Sequence, residues 1–166
     1  MPSAFSCADA GNNTVTLSIQ DVNGNVGNCL AVVSVVDNTA PTALCMDATI
    51  QLDVTGNATL TTNDVDNGSG DACGVGTATI SQSAFTCAHV GNNNVTLTLT
   101  DDNSNTSNCV AVVTVQDNVV PAAVCNDLTI QLDAGGNANI TTGDVDNGSS
   151  DALSLIHISE PTRHRR

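Results

Sequence analysis

The sequence predicts an all-β fold, most simply a sandwich, from two observations. Several segments alternate apolar and hydroxyl-bearing residues with the period of two that suits a half-buried strand, and no stretch of ten or more residues has the 3.6-residue period of a helix. The chain also repeats itself, because residues 3–72 match residues 83–152 at 44 of 70 positions when shifted by 80. A period of 80 residues is too long for one strand pair or one solenoid coil, so it indicates a small all-β domain.

The joins between repeats are predicted at two acidic phrases that follow apolar runs. They read Val-Asp-Asn-Thr-Ala-Pro at 36–41 and Gln-Asp-Asn-Val-Val-Pro at 116–121. The chain then contains the second half of one repeat at 1–37, a complete repeat at 38–117 and the first half of another at 118–152.

The repeat register ends at Leu153, which stands where the complete repeat has Cys73. The run Leu-Ser-Leu-Ile-His-Ile-Ser-Glu-Pro-Thr-Arg that starts there resembles the translated adapter of a sequencing library, so we expect residues 153–166 to be a non-native tail. Residues 1–152 then hold sixteen aspartates and no lysine or arginine. Nucleic acids and anionic membranes attract clustered basic side chains, which residues 1–152 lack, so we expect no nucleic-acid binding and no membrane insertion. The negative charge favours a cation as the partner.

The strands and turns of the complete repeat follow from its residue types. Four strands are predicted, at 49–53, 58–60, 95–100 and 111–115. A turn at 55–57 closes the first of them. The segment 101–106 separates the two longest strands, and its Asp and Asn residues tolerate the positive φ of tight turns, so it predicts a hairpin.

Each repeat carries four cysteines, and a core with only Phe5 and Phe85 as aromatic residues needs cross-links. An even number of cysteines at repeated spacings predicts disulfides in an oxidising compartment, and the spacings do not fit zinc sites. We favour Cys73 with Cys87, which flank a short excursion, and Cys45 with Cys109, which tie the first strand to the last. The disulfide candidates are Cys7, Cys29, Cys45, Cys73, Cys87, Cys109 and Cys125, of which Cys7, Cys29 and Cys125 are expected to lack an intact domain.

Together these features resemble the hyalin repeat. The resemblance covers residues 1–152 and depends on the phrase Asp-Asn-x-x-Pro at both joins, Asp-Ala-Cys-Gly at 71–74, the strand at 95–101 that leads into an Asp/Asn turn, and Cys109 before the last β-run. Hyalin repeats are immunoglobulin-like modules found in tandem in extracellular adhesion proteins. This variant is similar to those in large secreted surface proteins of Bacteroidetes-type bacteria. The resemblance implies an immunoglobulin-like fold and an extracellular adhesive or structural role, and it brings no catalytic residues.

The acidic loops predict calcium binding. Residues 64–71 and 144–151 place carboxylates and amides around a glycine, and oxygen ligands on a flexible loop suit calcium. The Asp-Asn joins resemble a shorter version of the linkers with which cadherins hold calcium between domains. Such loops are also ordinary turn sequences, so both interpretations stay open. The candidate ligands are Asp37, Asn38, Asp64, Asp66, Asn67, Asp71, Asp101, Asp102, Asp117, Asn118, Asp144, Asp146 and Asp151.

The first hypothesis for function is a structural module of an extracellular or cell-surface filament, stalk or adhesin, stiffened by calcium. Its partners would be neighbouring repeats or identical subunits in a fibre. The alternative is an extracellular module that binds ligands such as surface glycans or other cells, although the shortage of aromatic residues for sugar stacking counts against it. A third hypothesis is an ice-binding or crystal-binding face made of Thr96, Thr98 and Thr100.

An enzyme is not expected. His89 is the one histidine of residues 1–152, and its counterpart in the preceding repeat is Asp9. General acid–base catalysis needs positioned partners, and none accompanies this histidine in both repeats.

Overall fold

A computed structural model describes residues 4–153 of the 166-residue chain. The fold is all-β and sandwich-like, which confirms the predicted class. The strands of the described part are β1 (Gly11–Gln20), β2 (Val26–Val35), β3 (Ala48–Gln51), β4 (Asn57–Thr59), β5 (Thr77–Ile80), β6 (Ala84–Thr86), β7 (Gly91–Thr100) and β8 (Thr106–Gln116). The helical segments are single 3-10 turns at Cys7–Asp9, Thr62–Asp64 and Cys87–His89 and a four-residue helix, α1, at Thr142–Val145.

The strands form three sheets. β1 and β2 make an antiparallel hairpin in which Gly11 pairs with Val35 and Gln20 pairs with Val26. The largest sheet has the order β3-β8-β7-β5, and β4 pairs with β6 in a small antiparallel sheet. All four strands predicted in the complete repeat are present, although β7 and β8 begin several residues before their expected starts.

Strands β7 and β8 bury one face each. From Val95 to Thr100 of β7 the side chains alternate between buried and half-buried, as a period of two requires. The buried hydrophobic residues are Leu52, Leu60, Val65, Phe85, Val95, Leu97, Leu99, Ala111, Val113 and Val115. The small aliphatic core anticipated from the sequence is therefore built around a single aromatic ring, that of Phe85.

The chain divides into two compact units. The first comprises Met1–Ala48, Thr61–Ser83 and Asn94–Val113. The second comprises Thr49–Leu60, Ala84–Asn93 and Thr114–Arg166. Each unit contains one of the two Asp-Asn joins together with residues from both sides of it. The division of the sequence at 37 and 117 stays a prediction.

Helices are too short in the described part of the chain for any of them to cross a bilayer.

Candidate functional site

Two disulfides cross-link the first unit. One joins Cys45 to Cys109, the pairing favoured from the sequence. The other joins Cys7 to Cys73, with a Cα–Cα distance of 5.1 Å. These two covalent links are the most prominent chemical feature of the unit.

The favoured pairing of Cys73 with Cys87 is wrong. The segment between these cysteines is not a short closed excursion, because it contains β5, which pairs with β7 from Thr77 opposite Thr100 to Ile80 opposite Leu97. Cys73 is bonded to Cys7 instead, although Cys7 was expected to lack an intact domain.

The Cys7–Cys73 disulfide crosses the predicted join at residue 37. Cys7 belongs to the half-repeat before this join, and Cys73 belongs to the complete repeat after it. The loops that the two disulfides close overlap along the chain, because Cys45 lies between Cys7 and Cys73. Each cross-link therefore constrains part of the segment that the other one closes.

The remaining three cysteines of the described part are reduced. Cys29 and Cys125 are exposed, and Cys87 is half-buried. The Sγ of Cys87 lies 3.2 Å from the carbonyl oxygen of Ala152 and 3.7 Å from that of Gly56.

Many aspartates serve as anchors of tight turns. In four turns the Asp Oδ1 accepts hydrogen bonds from the backbone N–H groups two and four residues later, and the Asp N–H donates to the carbonyl of the later residue, an asparagine. These anchors are Asp21, Asp53, Asp101 and Asp133. The sequence analysis missed this role, although the spacing Asp-x-x-x-Asn recurs at all four places and is the signal that could have identified these turn anchors.

The hydrogen bonds of these turns favour the ionised carboxylates. The side chain of Asn25 is the largest cause that lowers the pKa of Asp21, and the hydroxyl of Thr55 does the same for the pKa of Asp53. At Asp101, which is 5% exposed, desolvation acts to raise the pKa, but the hydrogen bonds from Asn105, Asn103 and Ser104 outweigh it and the pKa is lowered.

The acidic loop at 64–71 does not gather its carboxylates around one point. Asp64 Oδ2 accepts hydrogen bonds from the N–H and the hydroxyl of Thr61, at 2.7 Å each, and this hydroxyl is the main cause that lowers the pKa of Asp64. Asp66 Oδ1 instead accepts the N–H of Ser69 at 3.0 Å. Each of these aspartates is thus committed to its own turn.

The loop at 144–151 repeats this arrangement. Thr141 donates to Asp144 and Ser149 donates to Asp146, and the pKa of both aspartates is lowered by these bonds. The backbone N–H of Thr141 is the largest cause of the lowered pKa at Asp144, and the side chain of Ser149 is the largest at Asp146. The second loop therefore also caps its own turn.

The structure does bring together one pair of predicted ligands from distant parts of the sequence. Carboxylate oxygens of Asp37, at the join, and Asp71, at the end of the acidic loop, lie with Cys73 Sγ in a group whose atoms are all within 4.8 Å of one another. The sulfur is bonded to Cys7, so it is not a thiolate ligand. The group therefore offers oxygen ligands from two half-buried carboxylates.

The join is attached to the hairpin turn between β7 and β8. The side-chain amide of Asn105 donates to the backbone carbonyl of Asp37 at 3.1 Å, and the amide of Asn103 donates to Asp37 Oδ2 at 3.4 Å. Asp37 Oδ1 accepts the N–H of Thr39, and Asp71 Oδ1 accepts the N–H of Cys73. Each carboxylate consequently keeps part of its acceptor capacity for another partner.

In the second unit Asp117 and Asp151 occupy the equivalent places in the register. Asp117 Oδ1 accepts the N–H of Val119, and Asp151 Oδ1 accepts the N–H of Leu153 at 2.8 Å. Asp151 Oδ2 is buried without a hydrogen-bond partner. The other predicted ligands lie outside both pairs, namely Asn38, Asp64, Asp66, Asn67, Asp101, Asp102, Asn118, Asp144 and Asp146.

No protein-family model matches the chain, and no curated protein matches it. Among solved structures, the chain is similar to the structure of mouse clustered PcdhgC3 EC1-3, with 13% sequence identity and a TM-score of 0.40. The match covers 73% of this chain and 49% of the other, so the chain spans about half the length of that structure. At this identity and TM-score the likeness is distant.

Proposed function

We propose that the chain is a structural module of an extracellular filament, stalk or adhesin made of tandem, disulfide-bonded immunoglobulin-like repeats. The observation that supports this function best is the Cys7–Cys73 disulfide. A disulfide that spans a predicted join transfers tension between neighbouring repeats through a covalent bond rather than through a non-covalent interface. A chain built to carry tension benefits from such a link, whereas a module that only presents a binding loop does not need it.

The chemistry of the chain supports a location outside the reducing cytoplasm. Disulfides persist in oxidising compartments and are rare where thiols are kept reduced. The formal charge of −14 also keeps neighbouring molecules apart and soluble. Both properties suit a protein that is exposed at a cell surface.

We further propose that calcium binds weakly between Asp37 and Asp71 and, by the repeat register, between Asp117 and Asp151. Hard oxygen ligands suit calcium, and an ion between two carboxylates relieves their mutual repulsion. Two carboxylates leave most of the six to eight ligand positions to water, so we expect the millimolar affinity that extracellular modules have. Because Asp37 also accepts hydrogen bonds from the β7–β8 turn, an ion here would stiffen the join.

A thermal melt tests the calcium site. Calcium should raise the midpoint as its concentration passes through the millimolar range, while magnesium at the same concentration and a chelator should not. Asp37→Asn and Asp71→Asn should each reduce the rise, and Asp37→Asn combined with Asp117→Asn should abolish it. The matched control is Asp127→Asn, which removes one charge outside both acidic loops and both joins. An equal rise in all of these variants would point to general screening of the acidic surface and would remove calcium from the proposal.

The structural role itself is tested by pulling on the chain. A module built for tension should lengthen far less under load when oxidised than when reduced, because its disulfides shorten the covalent path. Equal extension in both states would show that no covalent load path joins the repeats, and the proposed role would lose the observation that supports it.

A further inference from the structure

The reduced Cys87 lies in the same surroundings as the disulfide-bonded Cys7, its counterpart in the preceding repeat. Cys7 Sγ lies 3.6 Å from the carbonyl oxygen of Ala72, the residue before its partner Cys73. Cys87 Sγ lies 3.2 Å from the carbonyl oxygen of Ala152, the residue before Leu153. The two sulfurs are thus placed alike against equivalent points of the following repeat.

The backbone N–H of Leu153 makes the hydrogen bond that Cys73 makes in the bonded copy. The N–H of Leu153 donates to Asp151 Oδ1 at 2.8 Å, as the N–H of Cys73 donates to Asp71 Oδ1 at 2.7 Å. The preceding β-bridges also correspond, with Ala122 opposite Ser150 as Thr42 lies opposite Gly70.

Space for the Cys87 sulfur is provided by Gly56. A Cβ at this position would lie 2.5 Å from Cys87 Sγ, closer than real Cβ atoms approach a neighbour. The absence of a side chain at Gly56 thus leaves room for the thiol beside residue 152.

We propose that Cys87 is one half of a second inter-repeat disulfide, whose other half is a cysteine in the place of Leu153. The inference deepens the proposed function and rests on its tandem array. With this bond, every repeat is joined covalently to the next one. Successive bridges are then separated only by the segment from Cys73 to Cys87, which is 14 of the 80 residues of a repeat.

The bond forms by thiol–disulfide exchange with an external disulfide such as oxidised glutathione. The Cys87 thiolate attacks one glutathione sulfur and releases one glutathione thiolate. The thiolate at position 153 then attacks Cys87 Sγ and releases the second. Two protein thiols are oxidised to one disulfide, one glutathione disulfide is reduced to two thiols, and the two protons go to the released glutathione.

The test is Leu153→Cys in the full chain, oxidised with glutathione and then mapped for disulfides. Trypsin cannot separate the cysteines, because the chain has no lysine and its arginines all follow position 162. Cleavage before aspartate places each cysteine in its own peptide, apart from Cys73 and Cys87, which stay together. A second cut after Phe85 separates these two. We expect a peptide pair that contains Cys87 and residue 153, beside the pair that contains Cys7 and Cys73. Free thiols should fall from three in the unchanged chain to two, those of Cys29 and Cys125.

The matched control is Leu132→Cys, which makes the same substitution at a site that is 67% exposed in the same unit. Its new thiol should stay free, giving four free thiols. The inference is overturned if the thiol introduced at position 153 also stays free, or if it bonds to Cys29, Cys73 or Cys125 instead. The Cys45–Cys109 pair in the same digest shows whether each variant has folded.

The mapping and the pulling experiment fail independently. If Cys87 bonds to the cysteine introduced at position 153 but Cys7 is not bonded to Cys73, and the unchanged, oxidised chain extends beyond the path that this bond closes, the proposed function loses its support and the second bond stands. If oxidation limits the extension but the introduced thiol stays free, the function stands and the second bond is wrong.

Discussion

The two overlapping disulfides should limit how far the chain can be stretched. Cys109 lies 102 positions after Cys7, and a fully extended chain spans at most about 3.3–3.6 Å per residue, so the reduced segment can reach about 350 Å. In the oxidised chain the shortest covalent path goes from Cys7 across the bond to Cys73, back to Cys45 and across the second bond to Cys109. That path contains 28 residues, which extend to about 95 Å.

The assay is a force–extension measurement on the chain tethered by its two ends, with the three free thiols alkylated beforehand. Residues outside 7–109 contribute equally in both states, so addition of a reductant should lengthen the fully stretched chain by about 250 Å, the difference between the two paths. A change close to zero on reduction would refute the cross-linked architecture.

The same measurement separates the two possible connectivities. If Cys73 were bonded to Cys87, the shortest path would run from Cys7 along 38 residues to Cys45 and then across the Cys45–Cys109 bond. This path extends to about 130 Å. The variant that lacks both Cys7 and Cys73 should show this longer path, because only the Cys45–Cys109 bond remains. An unchanged chain that already matches this variant would contradict the Cys7–Cys73 bond.

Three further predictions concern stability. Leu97→Ala should lower the free energy of unfolding, measured by urea titration, by about 2–5 kcal/mol, because Leu97 is fully buried. Leu17 occupies the equivalent position of the preceding repeat and is 49% exposed, so Leu17→Ala should cost less than about 0.5 kcal/mol. Equal losses would contradict the described core. Ser104→Gly should raise the free energy of unfolding by about 0.5–1 kcal/mol in the same titration, because Ser104 has a φ of 72°, which favours glycine, and its counterpart in the preceding repeat is Gly24. A loss of stability would show that the serine side chain matters more than the backbone conformation. The pKa of Asp101 is lowered on folding, so the carboxylate's contribution to stability is fully present above the ordinary pKa of 3.8 and is lost as the pH falls through the folded pKa. In this acidic range the melting temperature should therefore drop less steeply for Asp101→Asn than for the unchanged chain. Identical profiles would show that the carboxylate is not involved.

The sequence predicted strand type well but could not supply the partners that strands need. The pentapeptide Thr-Ile-Gln-Leu-Asp occurs twice, at 49–53 and 129–133. Its first copy forms most of β3, pairs with β8 and buries Leu52, while the identical second copy is not a strand and leaves Leu132 67% exposed. Strand formation here is decided by pairing with another segment and not by local propensity.

The acidic residues illustrate a second limit. Their types were compatible with both calcium ligands and turns, and most of them proved to be anchors of turns. The proximity of Asp37 and Asp71 could not be read from the sequence, because it depends on how the join folds against the acidic loop. Disulfide pairing had the same difficulty, since spacing alone favoured the nearer cysteine, Cys87, over the more distant Cys7.

The most direct test of the central claim, a covalent link between neighbouring repeats, is the disulfide map of the unchanged, oxidised chain. After cleavage before aspartate and after Phe85, the peptide that contains Cys7 should be found attached to the peptide that contains Cys73, and Cys87 should carry a free thiol. A peptide in which Cys73 is bonded to Cys87, with Cys7 free, would contradict the claim.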